Sequence, residues 1–291
     1  MRIAVIGAKG QVGWELVRRA SGLNHTVLAW DQEKLDITDA NAVDYALSAS
    51  GADVVINAAA YTAVDKAEQE PERAFAVNRE GVIHLAATCQ RLSLPLLHIS
   101  TDYVFDGTKP DPYIESDAVA PLGIYGQSKL AGDQAVQRLL ARHLILRVSW
   151  VFGIHGNNFV KTMLKLARER EELRVVADQW GCPTYAADIA DTLLTLAGRI
   201  VEIDKHNTWG TYHYCGTPAT TWHGFASAII GLARRRESLA VRTITAIDTV
   251  DYPTPATRPA NSVLDSGRIT ECFGIQPRPW QDGLAALLAA V

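Results

Sequence analysis

Arg2-Ile3-Ala4-Val5-Ile6-Gly7-Ala8-Lys9-Gly10-Gln11-Val12-Gly13 is the stretch on which the fold turns. An apolar, β-branched run enters a glycine loop, and the loop opens into the helical pattern Trp14 to Ala20. Strand, glycine turn and helix in that order are what a dinucleotide fingerprint requires. The glycines allow a tight turn and close approach of backbone to a pyrophosphate, whose charge is met by the amides and dipole of the helix start. The spacing is G-x-x-G-x-x-G rather than G-x-G-x-x-G. Gly7, Lys9, Gly10, Gln11, Val12 and Gly13 are thus the first candidate cofactor residues.

Working outward, Thr26 to Trp30 reads as a second strand and ends at Asp31. A carboxylate there commonly holds the ribose hydroxyls and favours NAD, whereas Lys9 could neutralise a 2′-phosphate and favours NADP; NADH and NADPH both stay open. Asp36-Ile37 either frames the adenine or places Asp36 as the cap of the next helix. The strand 53–57 runs into Ala58-Ala59-Ala60, whose small side chains suit either a flat cofactor or plain close packing. A helix is expected over 71–92, with Asn78 as an ordinary polar residue or a brace for the catalytic layer. The apolar run Leu94 to Ile99 delivers Thr101, and His143 to Trp150 reads as another strand. Strands alternating with helices imply an α/β fold, a doubly wound parallel Rossmann sheet with ligands at the carboxyl ends of its strands. The expected division is a dinucleotide-binding domain at 1–150 and a smaller mixed α/β substrate-binding domain at 151–291, some segments of which return to the first.

Tyr125-x-x-x-Lys129 places a phenol and an ammonium on one helix face. A phenol of pKa about 10 exchanges protons poorly near neutrality, and a nearby ammonium is expected to lower that value so that Tyr125 can serve a carbonyl or alcohol oxygen. Thr101 is placed to hydrogen-bond the same oxygen.

The 291 residues carry 28 Lys and Arg against 32 Asp and Glu, a net charge of -4, with 48% hydrophobic content. That balance indicates a soluble chain with a sizeable core and argues against a nucleic-acid surface. Cys89, Cys182, Cys215 and Cys272 form no C-x-x-C pair, and no apolar run approaches a signal peptide or membrane span, so a cytoplasmic protein is expected.

The order of Gly7-x-x-Gly10-x-x-Gly13, Asn78, Thr101 and Tyr125-x-x-x-Lys129 resembles the extended short-chain dehydrogenase/reductase superfamily. Asn57-Ala-Ala-Ala-Tyr-Thr-Ala-Val-Asp-Lys-Ala-Glu68, Ser100-Thr-Asp-Tyr-Val-Phe-Asp-Gly107, Asp178-Gln-Trp-Gly-Cys-Pro-Thr184 and Arg258-Pro-Ala-Asn-Ser262 narrow the likeness to the dTDP-4-dehydrorhamnose reductase family. The resemblance implies reduction of dTDP-4-dehydro-6-deoxy-L-mannose to dTDP-L-rhamnose, for cell-envelope polysaccharides. Tyr125 would supply the proton, Lys129 would hold the nicotinamide ribose and Thr101 would position the carbonyl. Asp102, Tyr103 and Trp150 would border the nucleotide sugar, with Asn158 on its polar part and Arg258 on its diphosphate or paired with a carboxylate. Family members can form homodimers, sometimes with Mg2+ held by glutamates. Glu15 matches such a glutamate but reads as an exposed first-turn residue favoured by the helix dipole, and no metal ligand is assigned. The rival readings are a reductase or epimerase of another nucleotide sugar and a non-catalytic NADP-binding regulatory subunit.

Overall fold

The computed structural model describes residues 1–202 and 208–291. Five strands alternate with helices through the first half: β1 (Arg2–Ile6), β2 (Thr26–Trp30), β3 (Val54–Asn57), β4 (Leu96–Thr101) and β5 (His143–Val148). The intervening helices are α1 (Gln11–Gly22), α2 (Ala40–Ser48), α3 (71–92) and α4 (Ile124–Leu139). The second half contributes α5 (Phe159–Glu169), β6 (Glu172–Val176), α6 (Ala186–Glu202), β7 (Gly210–His213), α7 (Trp222–Ala233) and β8 (Thr243–Ile247).

The main sheet has six parallel strands in the order β7-β5-β4-β3-β1-β2. β3 and β5 are buried along their whole length, as a parallel sheet covered on both faces requires. Alternation along β1 sorts its side chains: Ile3 and Val5 pack with Leu16 of α1 and Ile189 and Leu193 of α6, while Ala4 and Ile6 face Leu47 of α2 and Leu85 of α3. Segments from beyond residue 150 therefore complete both the sheet and one of its covering layers.

β4 begins and ends two residues later than the apolar run suggested, so Thr101 is its last residue. β5 stops at Val148, two residues short of Trp150, whose backbone adopts a φ of 44°. The 71–92 helix is continuous but changes hand-hold at its middle: Ala76–Glu80 form a π-helical turn that carries Asn78. Such turns insert an extra residue and recur at functional sites.

A second apolar cluster binds α5, α7 and the parallel pair β6 and β8 through Val160, Leu164, Leu173, Phe225 and Ile229. It forms a separate layer beyond the carboxyl ends of β4 and β5.

Candidate active site

Tyr125 is the second residue of α4 and Lys129 follows one turn later. Glycine lets α4 lie against its neighbours. A Cβ on Gly126 would sit 2.2 Å from the Tyr103 carbonyl oxygen, and one on Gly132 would sit 2.2 Å from that of Asn78. Asn78 is the brace of this layer: its Oδ1 accepts from Tyr61 N at 2.9 Å, and its Nδ2 donates to Ser128 Oγ at 3.0 Å. Ser128 Oγ in turn donates to the Tyr125 carbonyl at 2.8 Å. The π-turn thus fixes the helix that carries the tyrosine and lysine.

Thr101 Oγ1 donates to Asp102 Oδ1 at 3.0 Å and accepts from Tyr103 N at 3.2 Å. The Tyr103 ring meets that of Tyr125 edge-on, with centroids 5.7 Å apart. Lys129 is buried, and its Nζ donates to the Ile99 carbonyl at 2.7 Å. The expected lowering of the Tyr125 pKa is reversed. Burial pushes the phenol up to about 12, against a smaller opposing effect of the Thr101 hydrogen bond. Burial also presses Lys129 down to about 8, with Asp133 resisting. Desolvation is the largest effect on both groups, and the ammonium is engaged by a backbone carbonyl. Burial likewise raises Asp102 to about 6.

In the glycine loop, Gly7 has a φ of 80°, and a Cβ on Gly13 would lie 2.1 Å from the Gly7 carbonyl oxygen. Gly10 caps α1 without a side chain, which leaves the first amides of the helix for an anion. Ala58 N donates to Ile6 O at 2.9 Å, and Ala59 N would lie 2.5 Å from a Cβ on Gly7, so this stretch passes tightly against the loop. Ala60 follows it, half-buried. Lys9 Nζ reaches Asp31 Oδ2 at 3.0 Å and Glu33 Oε2 at 2.6 Å. The two residues that argued for different cofactors are paired with each other, and Lys9 holds the Asp31 carboxyl below its usual range.

Several expectations need correction. Asp36 does not cap a helix; it closes a turn onto Thr38, and Asp39 caps α2 instead. Ile37 is buried against Gly81, where a side chain would clash. Asn158 caps α5 and donates to Gln11 Oε1 at 3.0 Å, and the next residue, Phe159, lines the cavity described below. Glu15 is fully buried, not exposed, because α1 begins at Gln11 and turns it inward beneath Arg18 and Arg19, at 2.8 and 3.3 Å. Both guanidinium groups engage Glu15 Oε2 and leave the buried Oε1 without a hydrogen-bond partner, and among the described residues there is no group of three or more His, Cys, Asp or Glu placed to hold a metal.

A cavity of 660 Å³ opens beside Tyr103 and extends between the sheet and the second layer. Arg258 lines it, held by Asp65 through paired bonds of 2.7 Å, so the arginine has a carboxylate partner and a cavity face together. Phe159, Trp222, Tyr252, Arg170 and Arg174 also line it, and sequence reasoning missed all five. Trp150 reaches the cavity only through Trp222, on which it stacks at 3.5 Å between centroids. The one available sequence signal was the proline-rich 251–261 segment, which brings Tyr252, Thr254 and Arg258 to a single wall.

The RmlD substrate binding domain family matches residues 1–291, the entire chain. This chain belongs to the RmlD family. Among its relatives, the dTDP-4-dehydrorhamnose reductase of Aggregatibacter actinomycetemcomitans is 46% identical over 290 residues, covering 99% of this chain and 98% of the relative. The solved dTDP-4-dehydrorhamnose reductase of Clostridium acetobutylicum superposes with a TM-score of 0.91 at 37% identity, covering 99% of both chains. That of Bacillus anthracis, solved with NADP, gives 0.91 at 35% identity, covering 100% of this chain and 99% of that one. RmlD relatives of this kind share the parallel-sheet architecture along their whole length.

Proposed function

We propose that this chain reduces the C4 carbonyl of dTDP-4-dehydro-6-deoxy-L-mannose to give dTDP-L-rhamnose, with NADPH as hydride donor. One observation carries the reading: Thr101, Tyr125 and Lys129 meet at the carboxyl end of β4, and the Arg258-lined cavity begins at the neighbouring Tyr103. Reduced nicotinamide supplies the hydride. The chain's own residues do the rest. Tyr125 delivers a proton to the developing alkoxide, with Thr101 beside it to fix the geometry of transfer. Lys129 holds the nicotinamide ribose, and Asn78 keeps α4 in place. Gly7, Gly10, Gln11, Val12 and Gly13 admit the pyrophosphate, with Ala58 to Ala60 along the cofactor's face. Lys9 meets the 2′-phosphate, a choice supported by the NADP complex of the Bacillus anthracis relative. Arg258 takes the substrate diphosphate and Trp222 its ring systems.

On this reading residues 1–150 bind dinucleotide and 151–291 mainly bind substrate, with α6 and β7 serving the first unit. Four free cysteines suit a cytoplasmic setting, and no described helix is long and apolar enough to cross a membrane. The test is loss of reduced-cofactor absorbance with enzymatically prepared dTDP-4-dehydro-6-deoxy-L-mannose, run with NADPH and NADH separately. NADPH-dependent formation of dTDP-rhamnose is expected. Cofactor binding without turnover of this sugar would overturn the substrate assignment.

A further inference from the structure

Lys9, Asp31 and Glu33 form a charged triad beside the glycine loop, two carboxylates on one ammonium. The backbone sets it up. Gly7 N and Ala8 N both donate to Trp30 O, at 2.8 and 3.0 Å, which locks the loop to the end of β2 and brings Lys9 opposite Asp31. Asp31 closes the turn that follows: its carbonyl accepts from Lys34 N and Leu35 N, and its Oδ1 accepts from Glu33 N at 3.0 Å and Lys34 N at 3.1 Å. The turn presents Glu33 so that Lys9 Nζ meets Glu33 Oε2 at 2.6 Å while keeping Asp31 Oδ2 at 3.0 Å. The Glu33 side chain is 82% exposed and that of Lys9 64%. An ion pair so open to water contributes little to stability, which leaves ligand binding as the property it can change.

The two carboxylates are not equivalent. Asp31 is fixed by its turn, with a side chain only 11% exposed, at the strand end where ribose hydroxyls are held. Among the described residues the Glu33 carboxylate is held by Lys9 alone. Two carboxylates against one ammonium leave the triad one net negative charge, and a phosphate monoester brings almost two more near neutrality. A 2′-phosphate at Lys9 must therefore share the ammonium with both carboxylates, whereas a ribose hydroxyl donates to a carboxylate and meets no repulsion. We propose that Glu33 is a specificity-determining residue for the cofactor: it competes with the 2′-phosphate for Lys9 and narrows the margin by which NADPH is bound over NADH. This rests on the cofactor assignment above and extends it from the residue that meets the phosphate to the one that limits how well it does so.

The experiment is Glu33→Gln in the full chain, with Kd for NADPH and for NADH taken separately from reduced-nicotinamide fluorescence, without sugar, at low and high salt. Expected at low salt is NADPH binding about 3–10-fold tighter, with NADH changed by less than about twofold, and a smaller gain at about 0.5 M salt. In a Lys9→Met background the gain should shrink to about twofold or less, the part that plain repulsion supplies, because the carboxylate then has no ammonium to withhold. An NADPH affinity unchanged in Glu33→Gln, an equal gain for both cofactors, or a full-sized gain without Lys9 would overturn the proposal. Because Glu33 is exposed, the variant should fold as the wild type does. Wild-type protein that binds both cofactors but leaves this sugar unreduced would count against the substrate reading alone, since the binding comparison needs no sugar.

Discussion

Around Tyr125 the polar groups hold one another: Asn78 grips Ser128, Ser128 the Tyr125 carbonyl, Lys129 the Ile99 carbonyl and Thr101 the Asp102 carboxylate. The 660 Å³ cavity next to it is built differently, from Phe159, Arg174, Trp222 and Arg258, side chains that converge from distant parts of the chain. Chemistry here is assigned to a dense layer on one strand and one helix, where geometry tolerates little. Recognition is assigned to an open wall whose parts are independently replaceable. The first should govern kcat and the second KM.

The sharpest way to break that division is Tyr125→Phe. Loss of the proton donor should lower kcat by about 10²–10⁴-fold with KM nearly unchanged, followed by NADPH oxidation. A comparable rise in KM would mean that the phenol also binds ground-state substrate. Next comes Arg258→Ala, which removes the charge proposed to meet the diphosphate and should raise KM about 10–100-fold at nearly constant kcat. An equal loss in kcat would place Arg258 with the chemistry and dissolve the contrast. Trp222→Ala should be milder, with KM up about 2–10-fold, since it removes one stacking face from the wall. Steady-state kinetics with the nucleotide sugar varied tests both cavity variants.

The smallest effect concerns stability. Lys129 titrates at about 8 in the folded protein against an ordinary value of 10.5. Between those values the unfolded chain binds more protons, so this group makes stability rise with pH across that window and weakens the fold below it. Thermal unfolding of cofactor-free protein should show Lys129→Met flattening that rise by a few degrees in Tm. A cavity variant such as Trp222→Ala should leave the rise intact.

The same contrast explains what could be read from the chain alone. The strand, glycine loop and first helix lie within residues 2–22, and their spacing follows from local sterics, so the Rossmann sheet and its loop were legible. Tyr125 and Lys129 share a face for the same local reason. The cavity wall was opaque because Asp65 meets Arg258 across most of the chain, and only tertiary packing brings them together. Burial was opaque as well: Glu15 had the look of a surface helix residue, and neither its inward turn nor the desolvation that raises the Tyr125 phenol leaves a mark on spacing.

The late arrival of β7 bears on how the chain is made. β5 is complete at Val148, but the strand that covers its outer edge begins only at Gly210. At a synthesis rate of 5–20 residues per second, that edge waits roughly 3–12 s for its partner. During the wait a row of unpaired amides and carbonyls on an apolar strand is open to any other nascent chain. A fragment ending near residue 150 would never escape that state, so the first half should aggregate when expressed alone, and slowing translation between 149 and 210 should lower the yield of the whole protein.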